Sequence, residues 1–142
     1  MIESTAEVKR VVVIDRQEYW RELSTGALKE RGFKVKSLST YDYSPETAYF
    51  DGEPPDLVVL GCASIKREER EFIEEVLADE VHLLVFCASL PWREARLVFL
   101  AGADDVADKP YNPAQLLNTV DEVFKRKVPR DSYQAKEYEG AL

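Results

Sequence analysis

Apolar and polar residues follow two alternating periods along this chain, and the alternation predicts strands separated by helices. Continuous apolar runs, typical of strands buried on both faces of a sheet, occur at residues 10–15 (RVVVID), 56–60 (DLVVL) and 82–87 (HLLVFC). Residues 33–38 (FKVKSL) alternate with a period of two, which suits an edge strand. Residues 103–107 (ADDVA) predict a short last strand.

Stripes of apolar residues at helical spacing lie between these runs. Gly32 and Gly102 stand where the first and fourth helices would end. Asn112 caps the last helix, with Pro113 at its first position. The stripes contain Trp20, Leu23, Ala27 and Leu28, then Phe72, Ile73, Val76 and Leu77, and finally Leu116, Leu117, Val120, Val123 and Phe124. Five strand–helix repeats predict an α/β fold with a mostly parallel sheet covered by helices on both faces.

Length and composition predict one domain in a chain of 142 residues. We expect an N-terminal extension over 1–8, the domain over 9–126 and a polar C-terminal tail over 127–142. No apolar run approaches the roughly 20 residues that span a bilayer, and the N-terminus lacks a leader pattern, so we expect a cytoplasmic protein without membrane contact. The net charge of −8 argues against nucleic acid as a partner.

The signatures of common cofactor and metal sites do not occur in the sequence. It has no P-loop, dinucleotide-binding, nucleophile-elbow or HExxH motif. Cys62 and Cys87 form no metal motif and suit a reducing compartment. His82 is expected to be an ordinary residue at a strand edge. No cofactor, no metal and no enzymatic nucleophile–base pair is predicted.

Four residues at the ends of predicted strands, Asp15, Gly61, Cys87 and Lys109, would gather at the carboxyl edge of such a sheet. The segments VVVID, PPDLVVLG, FCAS and AGADDVADKPYNPAQLL resemble the receiver domains of two-component response regulators. The resemblance extends from about residue 8 to residue 126. It implies a CheY-like, flavodoxin-like three-layer (βα)5 fold with five parallel strands in the order 2-1-3-4-5, and a cis Lys109–Pro110 bond.

The chemistry that the resemblance implies is transfer of a phosphoryl group from a kinase histidine to an aspartate after the third strand, supported by two acids that hold Mg²⁺, a hydroxyl and a lysine. At the matching positions this chain keeps Lys109 and one acid, Asp15. Arg16 replaces the second acid, Cys87 the hydroxyl and Gly61 the acceptor. We therefore predict a degenerate phosphorylation pocket.

Glycine at position 61 has no side chain to phosphorylate, and Asp15 beside Arg16 is a poor Mg²⁺ site. A pseudo-receiver that is neither phosphorylated nor an enzyme follows from these replacements. Lys109 would pair with Asp15, since an unpaired buried charge is costly. Arg16 would either join this pair or point into solvent.

Function is then expected on the surface formed by the fourth helix, fifth strand and fifth helix, which receivers commonly use for partners. Trp92, Leu97, Leu100, Val106 and Tyr111 would form an exposed apolar patch that binds a protein partner or a second copy of the chain. The alternatives are a wider core stripe or a contact with the C-terminal tail.

Two further groups of residues allow alternative interpretations. The aromatic residues Tyr41, Tyr43, Tyr49 and Phe50 either pack onto the domain or form a docking loop. Cys62 is expected to face away from the pocket into which Cys87 points, which favours two inert thiols over a redox switch.

An alternative function uses the crevice that the missing side chain at position 61 would leave empty. A flavodoxin-like sensor would bind a small molecule or nucleotide there, with Lys109 and Arg16 holding its anionic group.

Overall fold

The computed structural model describes residues 8–89, 91–126, 128 and 129. The predicted alternation of strands and helices is confirmed, whereas most of the predicted extension over 1–8 and tail over 127–142 lies outside the described residues. The strands are β1 (Arg10–Asp15), β2 (Lys34–Leu38), β3 (Leu57–Ser64), β4 (His82–Ser89) and β5 (Asp105–Asp108). The helices are α1 (Glu18–Glu30), α2 (Pro45–Ala48), α3 (Arg67–Leu77), α4 (Trp92–Ala101) and α5 (Pro113–Phe124).

The five strands form one parallel sheet in the order β2-β1-β3-β4-β5, so the predicted fold class is confirmed. Two of the predicted strand ends are wrong. β3 continues past Gly61 to Ser64, and β4 continues past Cys87 to Ser89. The two strands keep pairing beyond these positions, which places Gly61 and Cys87 inside strands instead of at their ends.

Alternate residues of each central strand face two separate apolar cores. Leu60 of β3 and Val85 of β4 belong to the core covered by α3 and α4, whereas Val59 and Phe86 belong to the core covered by α1 and α5. This parity matters at the carboxyl edge of the sheet. It places Cys62 and Cys87 on the α3/α4 side, in one buried cluster.

The aromatic segment before β3 packs onto the domain. Tyr43 and Phe50 are buried, and the hydroxyls of Tyr43 and Tyr49 each donate a hydrogen bond of 2.7 Å to the same Asp79 carboxylate oxygen. Burial, and then the bond to Asp79, raises the pKa of Tyr43. The packing interpretation is therefore correct, and these side chains do not form an exposed docking loop.

The start of α5 is positioned by a local hydrogen bond. Asn112 Oδ1 accepts a 2.8 Å hydrogen bond from the Gln115 backbone N–H, which satisfies a helix donor that would otherwise have no partner. The Lys109–Pro110 peptide bond just before this cap is cis, as the resemblance implied. In the described part of the chain, no helix is both long and apolar enough to span a membrane.

Candidate functional site at the carboxyl edge of the sheet

A buried ion pair occupies the carboxyl edge of the sheet. Lys109 Nζ lies 2.8 Å from Asp15 Oδ2, and the two side chains are only 2% and 3% exposed. The same ammonium donates to Gln17 Oε1 at 3.0 Å, while Asp15 Oδ1 accepts from the Gln17 backbone N–H at 2.9 Å. Both charges therefore have partners, as burial away from water requires.

Gly61 lies directly beneath this pair, because it is the register partner of Asp15 on the neighbouring strand. A Cβ atom at position 61 would come within 2.8 Å of Asp15 Cγ, closer still to Asp15 Oδ2, and within 3.2 Å of Lys109 Cε. The carboxylate of Asp15 thus fills the space where a side chain of residue 61 would begin. The space beside the Gly61 Cα is therefore not empty, while Gly61 also lines a neighbouring crevice.

Arg16 does not join the buried pair. Its Nη2 atom lies 2.6 Å from Glu68 Oε2, with both side chains half exposed or more, and its guanidinium stacks 3.9 Å from the centre of the Tyr41 ring. The hydrogen bond to Glu68 raises the pKa of Arg16. The predicted pairing of Arg16 with Asp15 is therefore wrong, and the solvent-facing alternative is correct, with the exposed guanidinium paired to Glu68 at the mouth of the crevice.

A crevice of about 330 Å³ opens between the β1–α1 turn, the end of β3 and the start of α3. Sequence reasoning missed its acidic residues on α3, Glu68 and Glu69. Glu69 is buried and accepts hydrogen bonds of 2.9 Å from the Tyr41 hydroxyl and from the Lys66 backbone N–H. The sequence signal that could have identified them is the acidic first turn of the helix that follows β3.

The residues at this edge do not fit Mg²⁺, which requires octahedral oxygen ligation, usually including carboxylates. Both oxygens of Asp15 already accept hydrogen bonds, one from Lys109. Gly61 has no side chain and so offers no side-chain oxygen, and the positive charge of Arg16 repels a metal cation. Among the described residues, no three His, Cys, Asp or Glu side chains come together as a metal-binding group.

Cys62 and Cys87 have the opposite arrangement to the predicted one. The register of β3 and β4 pairs Gly61 with Phe86 and Cys62 with Cys87, so the two cysteines are cross-strand neighbours on one face. Cys62 contributes to the lining of the crevice. Cys87 is fully buried in the α3/α4 core and donates a 3.1 Å hydrogen bond to the Ser89 carbonyl. Cys87 therefore does not take the place of a pocket hydroxyl.

Of the five predicted partner-binding residues, two are well exposed. The exposed fractions of Trp92 and Leu97 are 75% and 49%, whereas Leu100 and Val106 are half-buried. The exposed pair divides between two shallow grooves. Trp92 and Val106 border one between α4 and β5, and Leu97 borders one between α3 and α4.

Tyr111 is buried, so its predicted place on the exposed patch is wrong. Its ring stacks on Phe86 at 4.1 Å between centroids and lies 4.7 Å from Trp20. Its hydroxyl lies 2.5 Å from Ser24 Oγ, within the core beneath α1. The chain turns inward after Pro110, and the aromatic ring fills the space between β4 and α1.

Comparison of sequences gives one distant relative. No protein-family model matches the chain. The regulatory protein VanRc of Enterococcus gallinarum is 24% identical over 119 residues, which are 83% of this chain and 51% of that protein. The chain therefore spans about half the length of this curated relative.

Solved structures give a consistent fold. The BeF3-activated DrrB receiver domain has a TM-score of 0.70 at 22% identity, covering 84% of this chain and 100% of that one. A response regulator from Thermotoga maritima has the same TM-score and coverage at 20% identity. A CheY-like receiver domain protein from Methanospirillum hungatei JF-1 scores 0.68 at 18% identity, covering 96% and 100%. The chain has the fold of response-regulator receiver domains.

Proposed function

We propose that this chain is a pseudo-receiver, a signalling domain with the receiver fold that is not phosphorylated at the usual position and acts by protein–protein contact. The observation that carries the proposal is the position of the Asp15–Lys109 ion pair over Gly61. An acyl phosphate needs a carboxylate at position 61, and glycine supplies none. The space in which a side chain at position 61 would begin is already filled by Asp15.

In the Asp15–Lys109 pair, the two charged groups that phosphoryl transfer would use are bound to each other. Positioned cations and a divalent metal neutralise the developing charge on a transferring phosphoryl group. Here the ammonium of Lys109 is bound to Asp15 and Gln17. The residues at the edge do not fit Mg²⁺. This arrangement supports a domain whose conformation is stabilised by the Asp15–Lys109 ion pair and is not switched by phosphorylation.

The exposed apolar side chains of α4 support the interaction part of the proposal. Trp92 has the largest exposed fraction among the large apolar residues of the described chain, and Leu97 lies further along the same helix. Tryptophan is enriched in binding hot spots, and Trp92 borders the groove between α4 and β5 together with Val106. The partner surface is therefore assigned to α4 and the adjoining edge of β5, with Leu100 and Val106 as half-buried support.

Affinity capture tests this surface. The immobilised wild-type chain is compared with Trp92→Ala and with the triple variant Trp92→Ala, Leu97→Ser, Leu100→Ser. The control is Tyr19→Ser, which removes an exposed aromatic ring from α1. A protein retained by the wild type and the control, and lost from both α4 variants, supports the proposal. Equal retention by the α4 variants, with circular dichroism showing intact folding, overturns the assignment of the surface.

The sensor alternative has less support at the crevice. Anion binding there needs a free Lys109 and a free Arg16, and both side chains already have carboxylate partners. Asp15, Glu68 and Glu69 also bring negative charge to the lining. A nucleotide or acidic metabolite that raises the melting temperature by mass action would favour the sensor over the pseudo-receiver.

A further inference from the structure

Two thiols lie side by side on neighbouring strands of the sheet, and one of them lines the crevice. Cys62 of β3 and Cys87 of β4 are register partners on adjacent parallel strands. Both belong to the buried cluster beneath α3 and α4, two residues beyond Leu60 and Val85 respectively, so their side chains lie on the same face. Adjacent strands are separated by about 4.8 Å, which falls within the Cα separation of about 4.4–6.8 Å that disulfides span.

The two thiols differ in their access to solvent. Cys62 lines the crevice and keeps 4% of its surface exposed, whereas Cys87 is completely buried. A small neutral oxidant that enters the crevice therefore meets Cys62 first. The sulfur of Cys87 can then be reached only from inside the protein, and Cys62 is its neighbour on that side.

We propose that Cys62 and Cys87 form an oxidation site in which a peroxide converts the two thiols to an intramolecular disulfide. The Cys62 sulfur attacks one peroxide oxygen, the O–O bond breaks, and a sulfenic acid and one water result when the oxidant is hydrogen peroxide. The Cys87 sulfur then attacks the Cys62 sulfur, a second water leaves, and the S–S bond forms. The two sulfurs together lose two electrons, which reduce the peroxide.

The surroundings of Cys62 make the first step slow at neutral pH. Burial, followed by the neighbouring Cys87, raises the pKa of the Cys62 thiol. The nearby charged side chains have opposite effects on this pKa, since Glu69 raises it and Lys109 lowers it. The thiolate is the reactive form, so the rate of oxidation rises with pH. The disulfide product is uncharged and suits the apolar core that contains it.

The test uses the full chain and hydrogen peroxide at neutral and mildly alkaline pH. After the peroxide is removed, the protein is unfolded in the presence of an alkylating reagent, and its intact mass and tryptic peptides are measured. The expected wild-type product carries no alkyl group, has lost two hydrogen atoms and yields a peptide pair linked through Cys62 and Cys87. It forms faster at the higher pH.

Single variants separate the roles of the two thiols. Cys87→Ser leaves the Cys62 sulfenic acid without a resolving partner, so a dione reagent is expected to trap it. Cys62→Ser leaves only the buried thiol, which is expected to remain reduced and alkylatable. The proposal is overturned if the wild type still takes two alkyl groups after prolonged exposure at the higher pH. Linkage only between separate molecules would also overturn it.

Discussion

The carboxylate of Asp15 takes the space in which the side chain of residue 61 would begin. Asp15 and Gly61 are register partners on β1 and β3, and a Cβ atom at position 61 would lie within 2.8 Å of Asp15 Cγ. The glycine and the Asp15–Lys109 ion pair therefore depend on each other. A larger residue at position 61 would displace the pair, and loss of the pair would leave a gap above the glycine.

Replacing Gly61 by alanine should destabilise the fold. The added methyl group meets Asp15, which is itself held by Lys109, and overpacking of this kind costs about 1–3 kcal/mol. Urea denaturation measures the change in the free energy of unfolding. Gly26→Ala is the matched control, because a Cβ there meets nothing within 4 Å. Alanine in the middle of α1 should raise the free energy of unfolding by about 0.5–1 kcal/mol. Equal effects of the two substitutions would contradict this account.

Breaking the buried pair from either side should cost far more than breaking an exposed pair. Asp15→Asn or Lys109→Met leaves one buried charge without its partner, which destabilises by about 3–5 kcal/mol. The double variant should lose much less than the sum of the two single variants, and a double-mutant cycle by urea denaturation measures that coupling. Arg67→Met, which breaks the exposed pair with Glu71, is the control and should leave the midpoint unchanged. Additive single effects would show that Asp15 and Lys109 do not stabilise each other.

Alkaline pH should weaken the fold through Tyr111. Burial raises the pKa of Tyr111 from 10 to about 12. Between these values the folded protein holds a proton that the unfolded chain has released, so the free energy of unfolding falls as pH rises, by at most about 1.4 kcal/mol per pH unit. Tyr111→Phe removes this contribution and should flatten the decline.

The measurement is urea denaturation at several values from pH 9 to 12 for the wild type and Tyr111→Phe. Below pH 10 the variant should be less stable by about 1 kcal/mol, because it lacks the hydrogen bond between Tyr111 and Ser24. The difference between the two proteins should shrink as pH rises. Tyr19→Phe, on the exposed side of α1, controls for the loss of a phenol. Parallel pH profiles would contradict the buried position of Tyr111.

The fold was largely predictable, because hydrophobic periodicity and the caps reflect local requirements. The run Leu57 to Leu60 indicated a strand buried on both faces, and Asn112 and Pro113 indicated the start of α5. The extra length of β3 and β4 was not predictable from the same signals. Continued pairing between neighbouring strands keeps Gly61 and Cys87 within the sheet.

The site was less predictable, since it depends on side-chain contacts between distant segments. Arg16 donates a hydrogen bond to Glu68, which lies 52 residues further along the chain. Tyr111 packs inward against α1 and β4. The pairing of Cys62 with Cys87 depends on a register that neither strand specifies alone. The glycine at position 61 was visible in the sequence, but the occupation of the adjoining space by the Asp15 carboxylate was not.

Position 61 and its surroundings are expected to accept no phosphoryl group. The direct measurement is the intact mass of the full chain after incubation with acetyl phosphate and Mg²⁺, with a phosphorylatable receiver domain treated in parallel. The parallel domain should gain the mass of a phosphoryl group, whereas this chain should gain none. A gain in this chain that fragmentation localises to the crevice, on Asp15 or a neighbouring carboxylate, would contradict this expectation.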